Sequence, residues 1–194
     1  MNYPKGIKHE NTKNTVVTSY GNRGMGLEED INITNKYYYD KNIAFIYKKP
    51  TPIQISKIDY NNKGIIIKEA FFKEPSTTDY NGLYKGKYID FDAKETKNKT
   101  SFPIANIHKH QLSHIKNIVD NGGIGFLIVR FTTLNKDFIL LGEDLLNYIN
   151  SNDRKSIPIE YFIEKGYLLE NNYIPRIDYL KVLDRIYNIG GYNG

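Results

Sequence analysis

The chain has 194 residues, the length of a single domain at about 100 to 200 residues each. Its 27 Lys and Arg against 22 Asp and Glu give a net charge of +5, and 40% hydrophobic with 25% charged residues is a globular balance that excludes a disordered chain. The absence of cysteine excludes disulfides, thiolate metal sites, iron–sulfur clusters and Cys nucleophiles, and no apolar run reaches the roughly 20 residues that span a bilayer, so a cytoplasmic protein without a membrane partner is expected.

Residues 1–20 are polar, lack periodicity and carry Pro4 and Gly6, which predicts a flexible N-terminal arm. Behind the glycine-rich NRGMG, Leu27, Ile31, Thr34 and Tyr38 recur at helical spacing, with Glu28, Glu29 and Asp30 favouring the helix N-terminus. Three strand-like runs follow near 42–48, 53–60 and 64–72, and NNKG at 61–64 reads as a hairpin turn. Pro50 and Pro52 break the passage between the first two runs, which predicts a bend or a sheet edge and a two-stranded arm leaving the core.

Residues 74–82 are dense in turn formers and read as a loop leading to a period-two strand, KYIDFDAK, at 87–94. A helix capped by Asn106 should carry Ile107, Ile115, Ile118 and Val119 inward and end near Gly122. Residues 124–131 read as a buried strand, with 137–141 as its hairpin partner. The rest reads as helices, the last with Ile177, Leu180, Leu183 and Ile186 in one apolar stripe. The order predicts a mixed α/β domain over 21–194, in which 48–73 forms a projecting hairpin stalk.

Alternation along 87–94 sends Ile89, Phe91 and Ala93 to one face and Asp90, Asp92 and Lys94 to the other. Taken alone, such a triplet describes an exposed strand with paired charges. Asp79, one short loop upstream, adds a second carboxylate, although alone it could simply cap its own loop. Two converging carboxylates suit a hard cation such as Mg²⁺, and Lys94 would then stand beside a reacting phosphate. Asp79 followed by Asp92-Ala93-Lys94 fits the Asp…(Asp/Glu)-x-Lys pattern of a large nuclease superfamily. His110 and His114 are four apart with His108 nearby, but no Glu lies between them and no third ligand is evident, so zinc has little support.

The block PSTTDYNGLYKGKYIDFDAKETKNKTSFP at 75–103, with NIHKHQ at 106–111, YGNRGMGLE at 20–28, KKPTP at 48–52 and PRIDYL at 175–180, resembles the RecU-type Holliday junction resolvases. The resemblance implies an α/β fold with a restriction-endonuclease-like core, a mixed central sheet flanked by helices, and the hairpin stalk. It implies a Mg²⁺-dependent endonuclease, with Mn²⁺ substituting, that resolves four-way junctions by paired symmetric nicks in recombination and repair. The metal-holding positions fall on Thr77, Asp79, Asp92 and Gln111, and the transition-state-stabilising lysine falls on Lys94. This chain departs from the family at Asp92, where the family usually has Glu, and Asp90 or Glu28 would then be auxiliary to the metal.

Residues 85–116 hold seven lysines against three acids, as expected where carboxylates must meet a polyanion. Arg23, Lys48, Lys49, Lys63, Lys68, Lys85, Lys97 and Lys99 are read as DNA-contacting. A homodimer suits the near-twofold symmetry of a four-way junction, and the family also influences a strand-exchange recombinase and a branch-migration motor. Two rivals remain at this stage: a restriction-type endonuclease specific for a DNA sequence, and a junction-binding protein with weak or no catalysis.

Overall fold

A computed structural model describes residues 26–61, 64–73 and 77–189. The arm expected at 1–20, Arg23, and Lys63 in the hairpin turn lie outside the described residues. In chain order the elements are α1 (Leu27–Asp40), β1 (Phe45–Lys48), β2 (Ile53–Asn61), β3 (Gly64–Phe72), β4 (Tyr80–Tyr84), β5 (Lys87–Thr96), β6 (Ser101–Pro103) and α2 (Lys109–Asp120). There follow β7 (Ile124–Phe131), β8 (Lys136–Leu141), α3 (Gly142–Ser151), β9 (Ser156–Pro158), α4 (Ile159–Glu164), β10 (Tyr167–Leu169) and α5 (Tyr179–Tyr187). Among the described residues no helix is long and apolar enough to cross a membrane.

Six strands form one mixed sheet in the order β1-β4-β5-β7-β8-β10, in which β5 and β7 are parallel and every other neighbouring pair is antiparallel. Helices cover both faces. Against one face, Leu27, Ile31 and Tyr38 of α1 and Tyr179, Leu180 and Leu183 of α5 pack on Ile89, Phe91, Phe126 and Ile128. Tyr80, Phe91 and Phe126, opposite one another on β4, β5 and β7, stack with ring centroids 4.9 and 4.7 Å apart. Against the other face, Ile115 of α2, Leu145 of α3 and Phe162 of α4 cover Leu127, Val129, Phe131 and Leu140 of β7 and β8. On that second face β5 instead presents Asp90 and Asp92, both fully buried. The sheet thus changes from apolar to ionic between two adjacent strands, and this change positions the site.

The strands β2 and β3 pair with one another in a separate two-stranded sheet. Every residue of β3 is exposed, including Ile65, Ile67, Phe71 and Phe72. β1 lies at the edge of the main sheet, as the prolines that follow it suggest.

Several expectations need correction. The loop read at 74–82 ends earlier, because β4 begins at Tyr80 and pairs on both sides. The α2 helix starts at Lys109 with His108 as its N-cap, not Asn106, which sits in a short 3₁₀ turn (Ile104–Asn106). Ile177 is buried but precedes α5, in a bridge to Asn171, and the edge strand β10 has no counterpart in the sequence reading. Gly122, with φ 80°, does follow α2 as the glycine signal indicates.

Candidate active site

Strand register brings the acids together. Tyr80 is opposite Phe91 and Lys48 is opposite Tyr80, so one step further Lys49, Asp79 and Asp92 form a row across the sheet. The backbone confirms the row on one side, where Lys49 N–H donates to the Asp79 carbonyl at 2.7 Å. The Lys94 ammonium lies 3.1 Å from Asp92 Oδ2 and its side chain is 17% exposed, so this charge reaches the surface beside the buried acid. That contact lacks hydrogen-bond alignment, so Asp92 Oδ2, buried, accepts no hydrogen bond, while Oδ1 accepts one from the Ala93 N–H at 3.2 Å. Burial first, and then the Asp79 carboxylate beside it, push Asp92 up from the usual carboxylate range to about 8, against the opposing pull of Lys94.

Tyr80 reports the same charge. Its phenol donates to Asn32 Oδ1 at 3.0 Å, and its pKa is raised first by burial and then by the fields of Glu28, Asp79 and Asp92. Glu28 therefore lies within electrostatic reach of the Tyr80 hydroxyl. Its own carboxylate is paired with Lys48, both side chains being about half exposed.

Asp90 differs from its neighbour. Its Oδ1 accepts from the Thr78 hydroxyl, and its Oδ2 accepts from Lys49 Nζ at 2.9 Å, Tyr88 OH at 2.9 Å and His114 Nε2 at 3.1 Å. An ionised carboxylate only accepts, so His114 carries its proton on Nε2. The α2 helix runs back between parallel strands β5 and β7, hence antiparallel to β5. His114, on Asp90, lies one turn after Gln111 in α2. Gln111 is buried, and its Oε1 accepts the His108 N–H at 3.0 Å in a reciprocal cap of α2. Thr77 is half-buried two residues before Asp79, with its hydroxyl on the Thr78 carbonyl at 3.3 Å.

The lysines read as DNA-contacting have different surroundings. Lys49 turns inward to Asp90 and Thr78. Lys68 pairs with Asp59 across the hairpin at 2.7 Å. Lys85 sits in the β4–β5 turn at the end remote from Asp79, roughly 20 Å along the strand, held by Asp184 and the Ile189 carbonyl. Lys97 and Lys99 are exposed on the segment that leaves β5 beyond Lys94. Among the described residues no three His, Cys, Asp or Glu side chains form a metal-ligating group; His114 faces Asp90 and His110 stacks on His108.

The sequence reading missed Thr78, Tyr88 and His114 as partners of Asp90, and Glu95, whose Oε1 accepts the Leu27 N–H at 2.6 Å and fixes the start of α1 to β5. Only the alternation of Asp90 with Asp92 hinted at the first group, and nothing local signals the second.

The donors suit a hard cation. Two carboxylates meet at one row, one with a buried oxygen left over, and neutral oxygens of Thr77 and Gln111 belong to the flanking segments. A family model described as recombination protein U matches residues 22–185. The chain belongs to the RecU family. It is 49% identical to proteins named Holliday junction resolvase RecU from Bacillus thuringiensis (strain Al Hakam), Bacillus cereus (strain AH820) and Bacillus anthracis (strain A0248), over 96% of this chain and 98% of each relative. RecU kinship thus covers all of the elements that build the cleft, from α1 to α5.

Proposed function

We infer that this RecU-family chain is a crossover junction endodeoxyribonuclease that uses Mg²⁺ and resolves Holliday junctions by paired symmetric nicks. The observation that carries the reading is the Asp92 carboxylate, buried with one oxygen unsatisfied, opposite Asp79 and 3.1 Å from the Lys94 ammonium. Kinship over nearly the full length with proteins named as junction resolvases supports the choice of substrate.

Asp79 and Asp92 would hold the ion, with Thr77 and Gln111 as neutral oxygen donors. The bound ion supplies Lewis-acid charge that neutralises phosphate oxygens and eases deprotonation of the attacking water. Lys94 stabilises the negative charge that grows on the phosphate as water attacks in line. Lys97 and Lys99 extend positive charge along the approach, and the β2–β3 hairpin is the stalk that reaches into the junction. A twofold homodimer would place one cleft on each of two strands of like polarity, which leaves two intact duplexes.

The test uses a labelled four-way junction and a linear duplex of the same sequence, each with Mg²⁺ or with a chelator. Wild-type protein should nick two opposed strands of the junction only with metal, and Asp79→Asn should bind the junction in a gel shift without cutting it. Equal cutting of the linear duplex, or full cutting by Asp79→Asn, would overturn the reading.

A further inference from the structure

We propose that Asp90 is the positioning residue of this cleft: it does not bind the metal, but locks into one geometry the separate chain segments that do. The proposal rests on the nuclease reading of the Asp79–Asp92 pair and goes beyond it by assigning a role to a neighbouring acid. Asp90 is fully buried and accepts from Thr78, Lys49, Tyr88 and His114. A carboxylate offers about four lone-pair sites; three donors crowd Oδ2 and Thr78 takes one site on Oδ1, so at most one site on Oδ1 is left over. Asp92, two residues along the same face, has the complementary property of an oxygen without a hydrogen bond.

The identity of the donors carries the argument. Thr78 is the residue before Asp79, and its hydroxyl also accepts from Lys49 Nζ at 3.1 Å. Lys49 holds Asp79 a second time through the backbone, at 2.7 Å. His114 lies one turn after Gln111 in α2, so its bond to Asp90 sets the height of that helix over β5. Tyr88 is itself held by the Asn81 amide of β4 at 3.0 Å. A single ammonium would have compensated the Asp90 charge. The three further donors come from the Asp79 segment, the Gln111 helix and β5 itself, the segments whose relative placement decides whether oxygens converge on one ion. Metal sites require that convergence within about 0.5 Å.

The test is Mn²⁺ binding to the full-length protein without DNA, read from the electron paramagnetic resonance signal of free Mn²⁺, with thermal unfolding to confirm folding at the assay temperature. Asp90→Asn and Thr78→Val should each weaken Mn²⁺ binding by about tenfold or more. Thr78→Ser, which keeps the hydroxyl, should bind as wild type does. The double variant should be no weaker than Asp90→Asn alone, since both remove one linkage. If Asp90→Asn does not fold, the contrast of Thr78→Val with Thr78→Ser decides alone. Wild-type Mn²⁺ affinity in Thr78→Val or in a folded Asp90→Asn overturns the positioning role while leaving the nuclease reading intact. A wild-type protein that neither binds Mn²⁺ nor cuts a junction removes the nuclease reading, and this inference with it.

Discussion

Two buried acids of the same sheet are fully enclosed and meet cations, yet they are built for different ends. Asp137 on β8 receives the Arg130 guanidinium as a fork, at 2.7 and 2.9 Å, and the same Arg130 reaches Asp30 of α1 at 2.8 Å, which Arg176 holds at 3.1 Å. Asp92 on β5 meets a lysine at 3.1 Å that leaves one oxygen without a hydrogen bond and a second carboxylate alongside. The guanidinium network satisfies its acids and clips α1 to the sheet. The lysine-and-acid arrangement leaves an electrostatic deficit that a cation would fill.

Breaking the first arrangement should show mainly in folding. Arg130→Met leaves Asp137 buried without its partner, and stability should fall by about 3–5 kcal/mol; urea unfolding measures it, with cutting per folded molecule unchanged. Breaking the second should show mainly in chemistry. Lys94→Ala should lower the rate of junction cutting by about a hundredfold to a thousandfold, with a smaller change in the unfolding midpoint than Arg130→Met. If both variants lost stability equally and kept their cutting rates, the contrast between the two clusters would collapse.

A subtler effect follows from proton binding. With Asp92 pushed up to about 8 in the folded protein, the fold holds a proton that the unfolded chain releases near the ordinary aspartate value of about 3.9. Between those values the folded state holds the extra proton, so this group's contribution to the stability of metal-free protein declines as pH rises from about 4 to about 8. Thermal unfolding in chelator should show the decline, and Asp92→Asn should flatten it. Mn²⁺ affinity should rise over the same interval, because the ion must displace that proton.

Much of the fold is legible in local patterns. The α1 stripe, the hairpin strands and the buried β7 follow from periodicity, and alternation alone puts Asp90, Asp92 and Lys94 on one face. The misses have physical reasons. The β4 segment contains Asn81 and Gly82 and so resembles a turn, but Gly82 is there because a Cβ would stand 2.1 Å from the Phe45 carbonyl oxygen of β1. His108 caps α2 only because Gln111 reaches back to it, a reciprocal bond that favours no one residue type strongly enough to be seen beforehand. At the site, the Asp79–Asp92–Lys94 trio could be picked from spacing because its members lie close in sequence. The Asp90 partners could not, since Lys49 and His114 stand 41 and 24 residues away and converge only through sheet register and helix packing.

β5 carries cohesion and reactivity on alternate positions: Phe91 stacks between Tyr80 and Phe126, and the very next side chain is Asp92. A single-residue insertion near the start of this strand would therefore not merely displace the cleft. It would exchange the two faces, turning aromatic rings toward the substrate and carboxylates into the stack, so the parity of this one strand matters more than its length.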